Sequence, residues 1–192
     1  MPMYSNKYFW QGKKIRLRGI KKDDWEEWLD DLEDSNANRL LSWGLELPKS
    51  PEIAKSIFSE WADFKDTSKR ILFSIETLNG ELVGGINIHS QDMKNGTFSF
   101  GIRINRKHRG KGYGAEALRI LLRYGFYELR YQKCNSGCVH INEGSIKLHK
   151  SVGFIEEGRQ RRTIYMNGQY YDHILFGLTR EEFEENDKNY NA

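Results

Sequence analysis

At 192 residues, with 38% hydrophobic and 13% aromatic content, the chain can fill one domain with a proper core and is too aromatic for disorder. A net charge of +3 is too mild to argue for nucleic-acid binding, and apolar runs such as Ile71-Leu72-Phe73 fall far short of the roughly 20 residues of a membrane span. No secretory apolar segment follows Met1, so the chain is expected to be cytoplasmic, with no nucleic-acid or membrane partner.

Residues 1–13 read as a polar leader with aromatic anchors at Tyr8, Phe9 and Trp10, residues 14–183 as a single domain, and residues 184–192 as a polar tail that frays. Lys14-Ile-Arg-Leu-Arg18 alternates and predicts a first strand. Asp23 or Asp24 is placed to cap a helix whose Trp25, Trp28, Leu29 and Leu32 form one apolar stripe. The other side of that helix is acidic, with eight acids in the twelve residues from Asp23 to Asp34. A loop near Trp43–Lys49 precedes Ser50-Pro51-Glu52, a helix start with Pro in the first turn. Strands over 70–77 and 81–89 meet at Asn79-Gly80, a two-residue hairpin signal, and a looser Lys94-Asn95-Gly96 turn leads to a strand over 97–104.

Next comes Arg-Lys-His-Arg-Gly-Lys-Gly-Tyr-Gly-Ala, residues 106–115, followed by a helix with Leu118, Leu121, Leu122, Gly125, Phe126 and Leu129 on one face. Glycines at 110, 112 and 114 let the backbone approach a ligand, and free N–H groups at the helix start make an anion site. A P-loop would place Ser or Thr after the lysine, where Gly112 and Tyr113 follow Lys111. A dinucleotide fingerprint needs Gly-x-Gly-x-x-Gly and an acid about twenty residues on, where Arg130 and Tyr131 stand. Neither fits. Basic residues Arg103, Arg106, Lys107, Arg109 and Lys111 surround the loop, which suits a diphosphate.

A strand over 133–141 then leads into Asn142-Glu-Gly-Ser145 and a short helix ending at Gly153-Phe154, and Asn167-Gly168 joins two last strands. Thr179–Phe183 predicts a short terminal helix. In an extended strand Cys134 and Cys138 would lie roughly 13 Å apart, beyond the reach of about 7 Å that a disulfide needs. They lack a second metal-binding pair as well, so they read as buried thiols, and no metal site is expected.

Arg-x-x-Gly-x-Gly, residues 109–114, resembles motif A of the GNAT acetyltransferases, and Asn142-x-x-Ser145 with its helix is similar to that family's second signature. Segments 154–158 and 165–172 resemble the C-terminal hairpin of the branch holding ribosomal-protein N-terminal and spermidine acetyltransferases. The resemblance spans about residues 14–183. It implies an α/β fold with a mixed, mostly antiparallel sheet of about seven strands, splayed central strands and four to five helices. It also implies an N-acetyltransferase that moves the acetyl group of acetyl-CoA to a primary amine by direct attack in a ternary complex, with no metal. Relatives are commonly dimers, so a homodimer is compatible with it.

By the resemblance, Arg109, Gly110, Lys111, Gly112, Tyr113, Gly114 and Ala115 take the pyrophosphate. The backbone of Ile102, Arg103 and Ile104 takes the pantetheine, with Ile102 N–H as oxyanion donor, and Asn142, Ser145, His149 and Lys150 complete the coenzyme site. His149 stands where many members carry a tyrosine acid, and a role as general acid competes with mere lining of the channel. Ser99 replaces a glutamate common in the branch, which leaves water-mediated deprotonation, or a base such as Glu76, His89 or Asp92. Tyr170, Tyr171 and Asp172 either wall the acceptor site or, more plainly, pair across strands beside the turn. The acceptor is a protein N-terminus, a polyamine or another small cationic amine, and the acidic segment favours a cation. The runner-up is a non-catalytic CoA-binding module, given the missing tyrosine and glutamate.

Overall fold

Alternation in Ile15-Arg-Leu-Arg18 buries Ile15 and Leu17 completely and turns both arginines to the other face, which makes an edge strand. The computed structural model describes residues 8–191, and this strand is its β1 (Ile15–Arg18). There follow α1 (Trp25–Leu32), α2 (Ser35–Ser42), α3 (Pro51–Ala62), β2 (Ile71–Thr77), β3 (Leu82–Asp92), β4 (Thr97–Ile104), α4 (Tyr113–Arg123), β5 (Lys133–Val139), α5 (Glu143–Val152), β6 (Ile155–Met166), β7 (Gln169–Thr179) and α6 (Arg180–Asn191). The seven strands form one sheet in the order β1-β2-β3-β4-β5-β7-β6. Only the β4–β5 pair is parallel.

The expected apolar face of α4 packs on the sheet: Leu118, Leu121, Leu122 and Phe126 are fully buried with Ile86, Ile88 and Phe98. Each such side chain contributes about 1.5–3 kcal/mol. Gly125 packs directly against the sheet, since a Cβ there would stand 2.5 Å from the Phe98 ring. A π-turn over Tyr124–Glu128 ends the helix. In the leader, Trp10 packs on Phe73 and Tyr124, each at 4.8 Å between ring centroids, whereas Tyr8 and Phe9 are exposed.

Several local expectations are corrected. The acidic stretch is two helices, because Asp34 Oδ1 accepts from Ala37 N–H at 3.0 Å and starts α2 afresh. Six α-helices therefore stand among the described residues where four to five were expected. Asp24 makes no side-chain cap; it turns inward to Arg18 and Ser74. The β2–β3 turn holds three residues, with Thr77 N–H on Glu81 O and Gly80 left-handed at φ 90°, rather than two. Asn167-Gly168 does make the tight two-residue turn, with both φ positive. The C-terminal segment continues as helix to Asn191 instead of fraying, and buried Asp187 meets Arg123 at 2.9 Å. Among the described residues no helix is long and apolar enough to cross a membrane.

Candidate active site

The parallel β4–β5 pair holds for three positions only: Thr97 with Lys133, Phe98 with Cys134, and Ser99 with Asn135. Beyond Ser99 the strands splay, as the resemblance implied. Asn105 N–H donates to Val83 O, so ladder alternation turns the N–H groups of Ile102 and Ile104 away from β3 and into the gap. They have no strand partner there. Two aligned donors beside an open slot can take an extended amide-bearing chain, or a developing negative charge on oxygen.

At the head of the gap lies the glycine loop. Gly110 and Gly112 are left-handed, at φ 77° and 84°. A side chain at 110 would meet nothing within 4 Å, so conformation and not space calls for glycine there. Gly112 caps α4 with no side-chain acceptor, which leaves the first-turn N–H groups of Tyr113, Gly114 and Ala115 free for an anion. Loop and gap open into one cavity of about 1030 Å³. Of the residues predicted for the coenzyme, Ile102, Arg103, Ile104, Arg109, Gly110, Gly112, Tyr113, Gly114, Ala115, Asn142, Ser145 and His149 line it. Lys111 and Lys150 do not. The Lys111 carbonyl accepts from Lys14 Nζ at 3.2 Å, and one helical turn before Lys150 the chain presents Lys147 instead. Asn142 Oδ1 caps α5 by accepting from Ser145 N–H at 3.0 Å.

The acidic segment does not stand apart from this basic loop; it grips it. Asp31 accepts from Arg106 N–H at 2.9 Å, Asp34 meets Arg109 at 3.1 Å, and Glu27 lies 3.5 Å from Lys107. Arg103 donates to Asn38 Oδ1 at 2.6 Å and to the Asp31 carbonyl. Asp24 belongs to the Arg18 network; burial alone would raise its pKa, but hydrogen bonds from Arg18 and Ser74 outweigh that and hold it below the usual range. A free acidic face for a cationic acceptor is therefore not what these carboxylates build.

His149 is buried, and its ring stacks on Phe176 at 4.5 Å between centroids. Nδ1 lies 2.7 Å from the Ser145 carbonyl, which only accepts, so Nδ1 carries the proton and Nε2 accepts from Ser136 Oγ at 2.8 Å. Burial lowers its pKa. Both nitrogens are thus occupied in a neutral ring, which favours fixing Ser136 over serving as an imidazolium acid.

Two of the three candidate bases are elsewhere. Glu76 is held by Arg16 and Arg18 near the sheet edge, with hydrogen bonds at 2.6 Å from each. Asp92 binds Asn95 in the β3–β4 turn. His89 does line the cavity. Tyr170 pairs with Tyr165 at 5.0 Å and Asp172 accepts from Arg159 at 2.7 Å, the plainer cross-strand role. Cys134 and Cys138 are free and buried; burial pushes both thiols up, Cys134 furthest. No cluster of His, Cys, Asp or Glu suited to a metal occurs among the described residues.

Trp43, Ser136, Gly137 and His173 also line the cavity and escaped the sequence reading. An isolated glycine inside a strand, Gly137, was the one signal available, since it marks close approach of another group.

Comparison with known proteins agrees with this geometry. A family model described as an acetyltransferase (GNAT) domain matches residues 14–155. The SPbeta prophage-derived uncharacterized N-acetyltransferase YokL of Bacillus subtilis (strain 168) is 36% identical, covering 93% of this chain and 97% of its own length. The putative ribosomal N-acetyltransferase YdaF of the same organism is 30% identical over 88% of this chain and 93% of its own. In fold, the chain is similar to spermidine N-acetyltransferase from Vibrio cholerae in complex with CoA and spermine, with a TM-score of 0.76 at 19% identity, covering 88% of this chain and 98% of that one.

Proposed function

Because this chain belongs to the GNAT acetyltransferase family and is an acetyl-CoA-dependent N-acetyltransferase, we propose that its acceptor is the α-amino group of a peptide or protein. One observation carries the choice: among the described residues no carboxylate lines the cavity. A polyamine brings two or more positive charges into a site, and each would lack a partner here. An α-amino group has a pKa of about 7.7–8.0, so roughly one in ten is neutral at pH 7, against fewer than about one in a thousand for a side-chain amine near 10.4. The residues in place suit the weaker base. The relative named as a putative ribosomal N-acetyltransferase supports the same reading.

In this reading the N–H groups of the 110–115 loop hold the diphosphate, and Ile102 and Ile104 receive the pantetheine arm along the β4 edge. Ile102 N–H donates to the acetyl oxygen as charge develops on it, a contribution of about 3 kcal/mol. Asn142 and Ser145 bound the arm from the start of α5. His149 holds the Ser136 hydroxyl at the slot without exchanging protons with the substrate. Leu40, Leu41 and Trp43 at the end of α2 form an apolar rim where the first peptide side chain would rest.

The test is thiol release and product mass with acetyl-CoA against peptides of varied first residue, spermidine and spermine. Peptide kcat/KM should exceed that of either polyamine by at least about tenfold. Preference for a polyamine would overturn the acceptor assignment.

A further inference from the structure

The two faces of the sheet divide the labour around the gap. Phe100 of β4 and Ser136 of β5 contact His149, so their parity faces α5. Arg103 reaches Asn38 of α2 and Val139 packs with Leu40, so the odd positions, among them Gly101 and Gly137, face α2. His173 of β7 shares that second face: its ring lies over Gly137 and against Trp43, at 4.7 Å between centroids.

An ammonium acceptor must lose a proton before its nitrogen can attack, and with about nine in ten α-amines still protonated at pH 7 a base at the gap raises the reactive share. With no carboxylate lining the cavity among the described residues, the choice falls on four imidazoles. His149 has both nitrogens occupied, by Ser145 and Ser136. His89 is engaged likewise, with Nδ1 2.9 Å from Ser90 Oγ and a further bond to the Phe100 backbone. His108 sits in the turn over Arg106–His108 ahead of the glycine loop, 3.5 Å from Glu81, at the diphosphate end. His173 remains. Its Nε2 is buried with no hydrogen-bond partner, which is costly unless a ligand completes it. A Cβ at residue 137 would stand 2.2 Å from that nitrogen, so the glycine is what admits the imidazole to the cavity floor.

We propose that His173 removes the proton from the acceptor amine, with Trp43 as the side wall that a bound peptide displaces. The inference rests on the α-amine reading above. Turning about its Cβ–Cγ bond as Trp43 yields, the ring presents Nε2 to the ammonium and takes one proton. The freed nitrogen lone pair then forms the C–N bond while the C–S bond breaks. The nitrogen's second proton leaves on the sulfur as thiol, and His173 returns the first to solvent, so each turnover releases one proton.

Burial lowers the His173 pKa, which keeps the ring neutral at pH 7. The groups beside it are uncharged: Gly137 and Val139 on β5, Gln160 on β6, and Trp43. Asp172 and Arg159 lie on the opposite face and pair with each other at 2.7 Å, and Arg103 across the gap is held by Asn38 and Asp31.

The experiment compares wild type with His173→Gln on a peptide acceptor from pH 5 to 9, with acetyl-CoA affinity measured by calorimetry. Wild-type kcat/KM should rise through the imidazole range and level off by pH 7. In His173→Gln it should be lower by about tenfold at pH 7, the share of α-amine already neutral there, keep rising through the range of the α-amine near pH 8, and bind acetyl-CoA within twofold of wild type. A peptide-like amine of low pKa, already neutral at pH 7, should restore most of the loss. If the variant keeps the wild-type rate and acid limb, the proposal is overturned, while an inactive wild type would instead sink the acceptor reading. Should His173→Gln fail to fold, Gly137→Ala displaces the ring with His173 retained, and an unchanged pH profile there would equally refute the role.

Discussion

Asp34 is the sharpest test of what the acidic segment does, because it holds two structures at once. Its Oδ1 caps α2 through Ala37 N–H at 3.0 Å, and its Oδ2 meets Arg109 at 3.1 Å. Losing the cap costs about 1 kcal/mol, within a range of about 0.5–2. The ion pair adds at most about 1 kcal/mol, since the Arg109 side chain is 44% exposed. Asp34→Ala should therefore destabilise by about 1–2.5 kcal/mol and lower Tm by roughly 2–8 °C. Asp34→Asn keeps a good cap and loses only the charge, so its cost should stay under about 1 kcal/mol. Both variants release Arg109 beside the phosphate loop and remove a negative charge there, and each should tighten acetyl-CoA by about two- to fivefold.

Thermal melts, calorimetry with acetyl-CoA and acceptor kinetics separate the cases. The hydrogen bond from Ala37, with a smaller contribution from Arg109, holds the Asp34 carboxyl below its ordinary 3.8. Its stabilisation is then full above that value and fades as pH falls below it, so the gap between wild type and Asp34→Ala should narrow in acid. A raised acceptor KM with unchanged acetyl-CoA affinity in Asp34→Asn would refute the clamp and return the acids to the acceptor.

Gly125→Ala should destabilise by about 1–3 kcal/mol in urea melts, because its Cβ would stand 2.5 Å from the fully buried Phe98 ring. At the loop, Gly112→Ala must hold a Cβ at φ 84°, a strain of roughly 1–2 kcal/mol, and should weaken acetyl-CoA about tenfold by calorimetry. Gly114→Ala meets its nearest neighbours at an ordinary 3.5 Å and should fold as wild type. Burial depresses the His149 pKa, so folding favours the neutral ring; its stabilisation is full above pH 6.5 and lost as pH falls through the folded value. His149→Phe should accordingly flatten the loss of urea midpoint between pH 7 and pH 5, though His89, His108 and His173, lowered in the same way, keep part of it.

Local chemistry was legible and distant pairing was not. The left-handed glycines 110 and 112, the Ser50-Pro51 helix start and the Asn167-Gly168 turn follow from backbone conformations that few other residues adopt, so their places show in the chain. Asp31 and Asp34 read as part of an acidic face favouring a cationic acceptor because nothing in residues 23–34 tells of Arg106 and Arg109, some 75 positions on. His173 was invisible for a related reason. In sequence it is one polar residue in an alternating strand, and only the β5–β7 register, together with a missing Cβ at Gly137, sets it on the cavity floor. A site between splayed strands is thus written in two layers. In the proposed reading the coenzyme half uses contiguous backbone donors set by local glycines, whereas the acceptor half draws on single side chains of β7 and the α2 end. On that basis a substitution at Trp43 reshapes the acceptor wall while the 109–115 loop stays as it is.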